Sequence, residues 1–272
     1  MGNWVKALGV AGLIVVGGCT EEPIDWGEIG YRRSLLGDPD TRSSIRSANL
    51  VETQSGLGTC LRSIRTAGDS LDLFRLWFSS RADSSVVLSL QRSPDQGRTW
   101  LAPMVVDSVD RGRRGCNRPA PATVFDPASG YLYLVYFLEP PTGSGIFFAH
   151  SMDRGEMFHA PVPVVYGRNP SAAGVAGRGD SVVVVFEDPN SSQSRIGYAL
   201  SHTSGHIFEQ RGQVTPNEEV ATAPWVTLGG NEVTVLWRSS DRATTTAGGG
   251  GRSGDANAVD VDRVGFRSGI WK

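Results

Sequence analysis

The sequence predicts an all-β protein, a β-propeller of four-stranded antiparallel blades. Three observations predict it. The composition favours strands and turns: 34 of 272 residues are glycine, Val, Thr and Ser are abundant, and no long stretch carries a helical apolar stripe. A short box recurs as "SPDQGRTW" at 93–100, "SMDRGEMF" at 151–158 and "SHTSGHIF" at 201–208, with starts 58 and 50 residues apart. A period of about 50 residues points to a propeller or solenoid. Around each box the apolar runs keep one order: strand, turn, strand, loop, strand, box, strand.

Taken from the N-terminus, residues 1–19 form the first unit. A single positive charge, Lys6, precedes a twelve-residue apolar run at 7–18. A bilayer-spanning helix needs about 20 apolar residues, so the run has the size of a signal-peptide core. It ends in Val16-Gly17-Gly18-Cys19, which resembles the lipobox of bacterial lipoproteins. The expectation is a lipid on Cys19, with the rest of the chain membrane-anchored on the periplasmic or extracellular face of a bacterial cell. The alternative is an uncleaved anchor. Residues 20–56 read as an extended segment, with a strand at 43–55 available to cover an outer sheet edge. Residues 57–272 read as the propeller.

Within 57–272 the second strands are "LDLFRLWF" (71–78), "YLYLVYF" (131–137), "SVVVVF" (181–186) and "EVTVLW" (232–237). Turns with Gly or Asp precede them, and first strands carrying Pro119, Pro170 and Pro224 precede three of the turns. Third strands lie at 86–92, 145–150, 195–200 and 263–266. Four units are recognisable. The last stops after its third strand, behind the low-complexity loop 244–258.

The box explains itself by local chemistry. Asp95 can accept from the amides that follow it, Gly97 supplies a positive φ, and Trp100 can bury its ring. Ser93 opens the motif. Ser151, Asp153, Gly155 and Phe158 repeat it, and the third copy replaces the acid by Thr203. S-x-D-x-G-x-T-W resembles the Asp-box, or BNR repeat, of the sialidase-like propellers, and the likeness runs from about 57 to 272. The resemblance implies that the boxes are structural and lie opposite the active-site face.

Alternating strand direction puts the second-to-third-strand loops on that opposite face. They begin near Arg81 and Asp83, Glu139, Glu187 and Asp188, and Arg238; the first strands enter there near Arg62, Arg118 and Arg168. Charges from four blades thus meet at one mouth, the default binding site of a concave fold. By the same resemblance, sialidases hold a carboxylate with three arginines and use a tyrosine nucleophile, a glutamate and an aspartate acid/base. "LRSI" at 61–64 stands in place of their F/Y-R-I-P motif and keeps Arg62; Arg81 matches a second arginine, and Asp83 lies near the acid/base position. The tyrosine belongs to a late blade, yet no tyrosine follows Trp225, and Tyr198 lies on a third strand. The catalytic set is incomplete.

Cys60 and Cys116 fall 33 and 35 residues before Ser93 and Ser151, at equivalent places in consecutive blades. An exported chain makes them a candidate disulfide, the alternative being two buried thiols. His202 and His206 are four apart in a turn, with no third ligand apparent, so no metal site is expected. Arg178-Gly179-Asp180 fits a hairpin turn. No cofactor is expected, and the net charge of −2 argues against nucleic acid. The sequence therefore reads as a tethered, non-catalytic binding module or accessory subunit, with a glycan or a membrane complex as partner. The alternative is an exo-glycosidase of the sialidase type acting on acidic sugars.

Overall fold

The computed structural model describes residues 22–33, 58–240 and 263–272. Cys19, the strand expected at 43–55 and the loop 244–258 lie outside them. The first strand, β1 (Ile24–Arg33), joins the last sheet. Blade 1 has a split inner edge. There β2 (Gly58–Thr59) and β3 (Arg65–Gly68) both pair with β4 (Leu73–Ser80) around a 3-10 turn at Leu61–Ser63. Then come β5 (Val86–Ser93) and β6 (Met104–Asp107).

Blade 2 is β7 (Ala122–Asp126), β8 (Tyr131–Leu138), β9 (Gly145–Ser151) and β10 (Val162–Tyr166). Blade 3 is β11 (Ala173–Arg178), β12 (Ser181–Glu187), β13 (Ile196–Ser201) and β14 (Gln210–Gln213). Blade 4 is β15 (Val220–Gly229), β16 (Glu232–Ser240), β17 (Arg263–Trp271) and then β1. Blades 1 to 3 are antiparallel meanders, as the repeat pattern predicts, and blade 4 is antiparallel with its outer strand supplied by β1.

Second strands read as unbroken apolar runs because both their faces are covered. On β8, Leu132, Leu134 and Tyr136 meet Phe74, Leu76 and Phe78 of blade 1. The alternate residues Tyr133, Val135 and Phe137 meet Val182, Val184 and Phe186 of blade 3. In turn Val183 and Val185 meet Val233, Val235 and Trp237 of blade 4. Period-two alternation thus assigns each side chain to one of two junctions. Three apolar clusters fill three junctions; among the described residues none joins blade 4 back to blade 1.

Two details differ from the sequence reading. Pro119 and Pro170 precede their first strands, where no ladder amide is needed, and Pro224 sits in β15 at a bulge between Thr222 and Trp225. The outer strand of blade 4 comes from β1 and not from 43–55. It pairs with β17 from Ile24↔Trp271 to Arg33↔Arg263.

The boxes share one hydrogen-bond plan. Gly97, Gly155 and Gly205 donate their amides to the Ser93, Ser151 and Ser201 hydroxyls at 2.7, 2.8 and 3.1 Å. Asp95 Oδ1 accepts from the Thr99 amide at 2.7 Å, and Asp153 Oδ1 from the Glu156 and Met157 amides at 3.0 and 2.9 Å. Thr203 Oγ1 takes the same place, accepting from the Ile207 amide at 3.1 Å. Phe158 packs on the blade 1–2 cluster, and the Arg75 guanidinium lies 4.1 Å from the Trp100 ring.

Candidate ligand-binding mouth

First strands begin, and second strands end, on the face opposite the boxes. Here Cys60 and Cys116 form a disulfide with a Cα separation of 5.2 Å, joining the entries of blades 1 and 2. Arg62 stands exposed in the 3-10 turn beside it.

The other charges at the mouth are largely engaged. Arg118 is buried and grips Asp110 with both terminal nitrogens, at 3.1 and 3.3 Å. Asp110 also accepts the Val86 and Glu139 amides at 2.9 and 2.8 Å, so this pair ties the strand ends of blades 1 and 2. Arg118, a candidate ligand-binding residue from the sequence, has its fork filled by this buried carboxylate. Arg81 donates to Ser108 O at 3.1 Å and Ser85 Oγ at 3.2 Å. Asp83 closes the same turn through the Ser85 hydroxyl and amide, and these bonds hold its carboxyl below the usual range.

Glu139 pairs with Arg114 at 3.2 Å. Glu187 accepts the Ala172 and Ala223 amides at 3.2 and 2.8 Å, clamping the first strands of blades 3 and 4. Asp188 accepts the Asn190 amide at 2.9 Å. Arg238 is half-buried near the end of β16, across from Thr222. The charges named from the sequence thus serve mainly to tie loops and blades together. A carboxylic acid that donates a proton near neutrality needs a raised pKa, and Asp83 has the reverse.

Two tyrosines are buried in the core of their blades. Tyr198 lies on β13 under Trp26, and Tyr136 donates to Asp107 Oδ2 at 2.9 Å beneath the mouth. Burial pushes both phenols up, that of Tyr136 farthest.

A different feature lies between the mouth ends of blades 2 and 3. Thr142, Ser144, Tyr166, Arg168 and Asn190 line a shallow hollow of about 340 Å³. The Tyr166 ring is half exposed and rests edge-on against Phe147, and Asn190 Nδ2 donates to Tyr166 O at 2.7 Å. Arg168 was legible as a strand-entry arginine. The others were not, because they come from three loops; the one local signal is an exposed aromatic two residues before that arginine.

No family model matches the chain, and no curated protein matches it. Among solved structures it is similar to the Trypanosoma rangeli sialidase in complex with 2,3-difluorosialic acid, at 14% identity and TM-score 0.44 over 72% of this chain and 29% of that one. It is similar to the phage phi92 endosialidase, at 12% identity and TM-score 0.47 over 76% and 36%. It is also similar to a subtype N10 neuraminidase-like protein of A/little yellow-shouldered bat/Guatemala/060/2010, at 10% identity and TM-score 0.44 over 68% and 53%. The chain therefore spans about a third to a half of these proteins. Meander blades closed by Asp-boxes make this a sialidase-like propeller fold.

Sequence reasoning also passed over a late-blade tyrosine. β1 carries Tyr31 into blade 4, where its hydroxyl donates to Glu219 Oε2 at 3.0 Å while Trp237 Nε1 donates to Oε1 at 2.7 Å. Partial burial and the Glu219 bond raise the Tyr31 pKa. Only the pairing of β1 with β17 reveals this contact.

Proposed function

We propose that this chain is an extracytoplasmic, membrane-tethered propeller that binds a ligand at the mouth without turning it over. The observation that carries the reading is the saturation of the mouth charges. Arg118, Glu139, Glu187, Asp83 and Arg81 are held by protein groups, so they stabilise loops and do not form a reacting set. The hollow at Tyr166 and Arg168 supports a hydroxyl-rich, acidic ligand such as a glycan. It offers an aromatic face, hydroxyls and an arginine fork in one place.

Strand direction supports an orientation for the tether. β1 starts at the box end, beside Trp271, and Cys19 lies five residues before Ile24. An extended chain covers roughly 3.3–3.6 Å per residue, so a lipid on Cys19 keeps the box face within about 18 Å of the attachment point and turns the mouth outward. Surface binding and fluorogenic sialoside hydrolysis, measured on the soluble domain, test the proposal together. Expected are binding of carboxylated glycans, weakened in Arg168→Ala and Tyr166→Ala, and no hydrolysis.

The glycosidase reading has the Tyr31–Glu219 pair in its favour, since it supplies a late-blade tyrosine with a glutamate partner. Sialoside turnover that disappears in Tyr31→Phe and Arg62→Ala establishes that reading and overturns the first.

A further inference from the structure

On the box face, away from the mouth, three histidines meet across the junction of blades 2 and 3. His150 is the next-to-last residue of β9 and continues the stripe of Ile146 and Phe148 that faces blade 3. It is 3% exposed, and its Nε2 has no hydrogen-bond partner. A buried polar atom left unpaired is costly and rare, which makes this nitrogen a pointer to something that would satisfy it. His159 follows the second box; its amide donates to His150 O at 3.0 Å, and its ring stacks on His150 with centroids 4.5 Å apart. His206 comes from the third box, in the neighbouring blade, with its ring 4.6 Å from His150 and 5.0 Å from His159. One ligating nitrogen from each ring lies within 4.8 Å of the other two.

The sequence offered His202 as the partner of His206, with no third ligand. The fold separates that pair, since His202 packs on the Trp271 ring at 4.3 Å, and brings in His150 and His159. The additional imidazoles that the sequence did not reveal thus come from another strand and another loop.

The chemistry of the cluster suits a metal. His150 is buried with its Nε2 unpaired, so that ring offers a nitrogen that no protein group satisfies. His206 Nδ1 lies 2.6 Å from Thr203 O, an acceptor only, an arrangement that fits Nδ1 as the donor and leaves Nε2 as the ligating atom. That bond is the outer support commonly seen behind metal-bound histidine, and it comes from the residue that replaces the box acid. A tetrahedral centre with bonds of roughly 2.0–2.1 Å sets its nitrogens about 3.3 Å apart. The ligand atoms stand within 4.8 Å of one another, and binding requires the exposed rings of His159 and His206 to close that gap around the buried His150.

We propose that His150, His159 and His206 bind a divalent transition-metal ion of the zinc class, with the remaining position open to solvent, and that the ion fastens the third box to blade 2. Imidazole nitrogens select such ions over magnesium or calcium, which take oxygen ligands.

The test uses the full chain without a histidine tag, dialysed against EDTA and titrated with zinc by calorimetry and with cobalt by visible absorption. Expected are one ion per chain, tetrahedral cobalt bands, and a zinc-dependent rise in Tm that EDTA reverses. His206→Ala and His159→Ala replace exposed residues and should fold. Each should bind zinc at least about tenfold more weakly, since loss of outer-shell support alone costs about 10–100-fold. His202→Ala should bind as the wild type does. Absence of stoichiometric zinc binding overturns the proposal. So does equal binding by wild type, His206→Ala and His159→Ala, or an equal loss in His202→Ala.

Discussion

Ser151 is buried, and its hydroxyl both donates to Asp153 at 2.7 Å and accepts the Gly155 amide. Ser151→Ala strands that amide, so destabilisation of about 1–3 kcal/mol is expected in urea unfolding. Asp95, by contrast, matters through its charge. Hydrogen bonds from Thr99, then Ser93, lower its pKa from 3.8 to about 2. Between those values the unfolded chain binds more protons than the folded one. The contribution is therefore whole above about pH 4 and is lost as the pH falls towards 2. A Tm–pH profile should fall less steeply in that window for Asp95→Asn than for the wild type. Such contacts were legible because donor and acceptor lie within a few residues. The Arg118–Asp110 pair and the three histidines were not, because their partners arrive from other strands and other blades.

Among the elements, β1 was the hardest to read. Its sequence, "IDWGEIGYRR", mixes two glycines with charges and resembles a linker. The glycine at 30 has a tertiary cause: a Cβ there would lie 2.2 Å from the Phe266 ring of β17. Ile24, fully buried with Val235 and Trp271, anchors the strand. Ile24→Ala should cost about 2–5 kcal/mol in chemical denaturation, as large-to-small changes in a packed core do. An undiminished stability would show that β1 is dispensable. The second strands were easy by comparison, since burial on both faces leaves an uninterrupted apolar run that no surface segment imitates.

For the molecule as a whole, junctions matter more than blades. Blades 1 and 2 share an apolar cluster, the Arg118–Asp110 pair and the disulfide. The bond closes 56 residues of sequence, a loop whose closure is worth about 4 kcal/mol in the chain-entropy model. Cys60→Ser with Cys116→Ser should lower the Tm by several degrees, and the wild type should match it under reducing conditions. The blade pattern was legible because each repeat is local. The arc of three filled junctions was not, since it depends on which face of each second strand meets which neighbour.

The pairing of β1 with β17 also sets an order of events. Among the described strands, the first to leave the ribosome waits for a partner that leaves last of them, since β1 pairs with β17. Loop-closure entropy grows slowly with length, so equilibrium stability suffers little, while the rate of reaching so distant a contact falls. Blades 1 to 3 can assemble as their strands appear; blade 4 keeps an open edge until β17 meets β1. Pulse proteolysis during refolding should accordingly find cleavage within 24–33 persisting after 73–201 has become resistant.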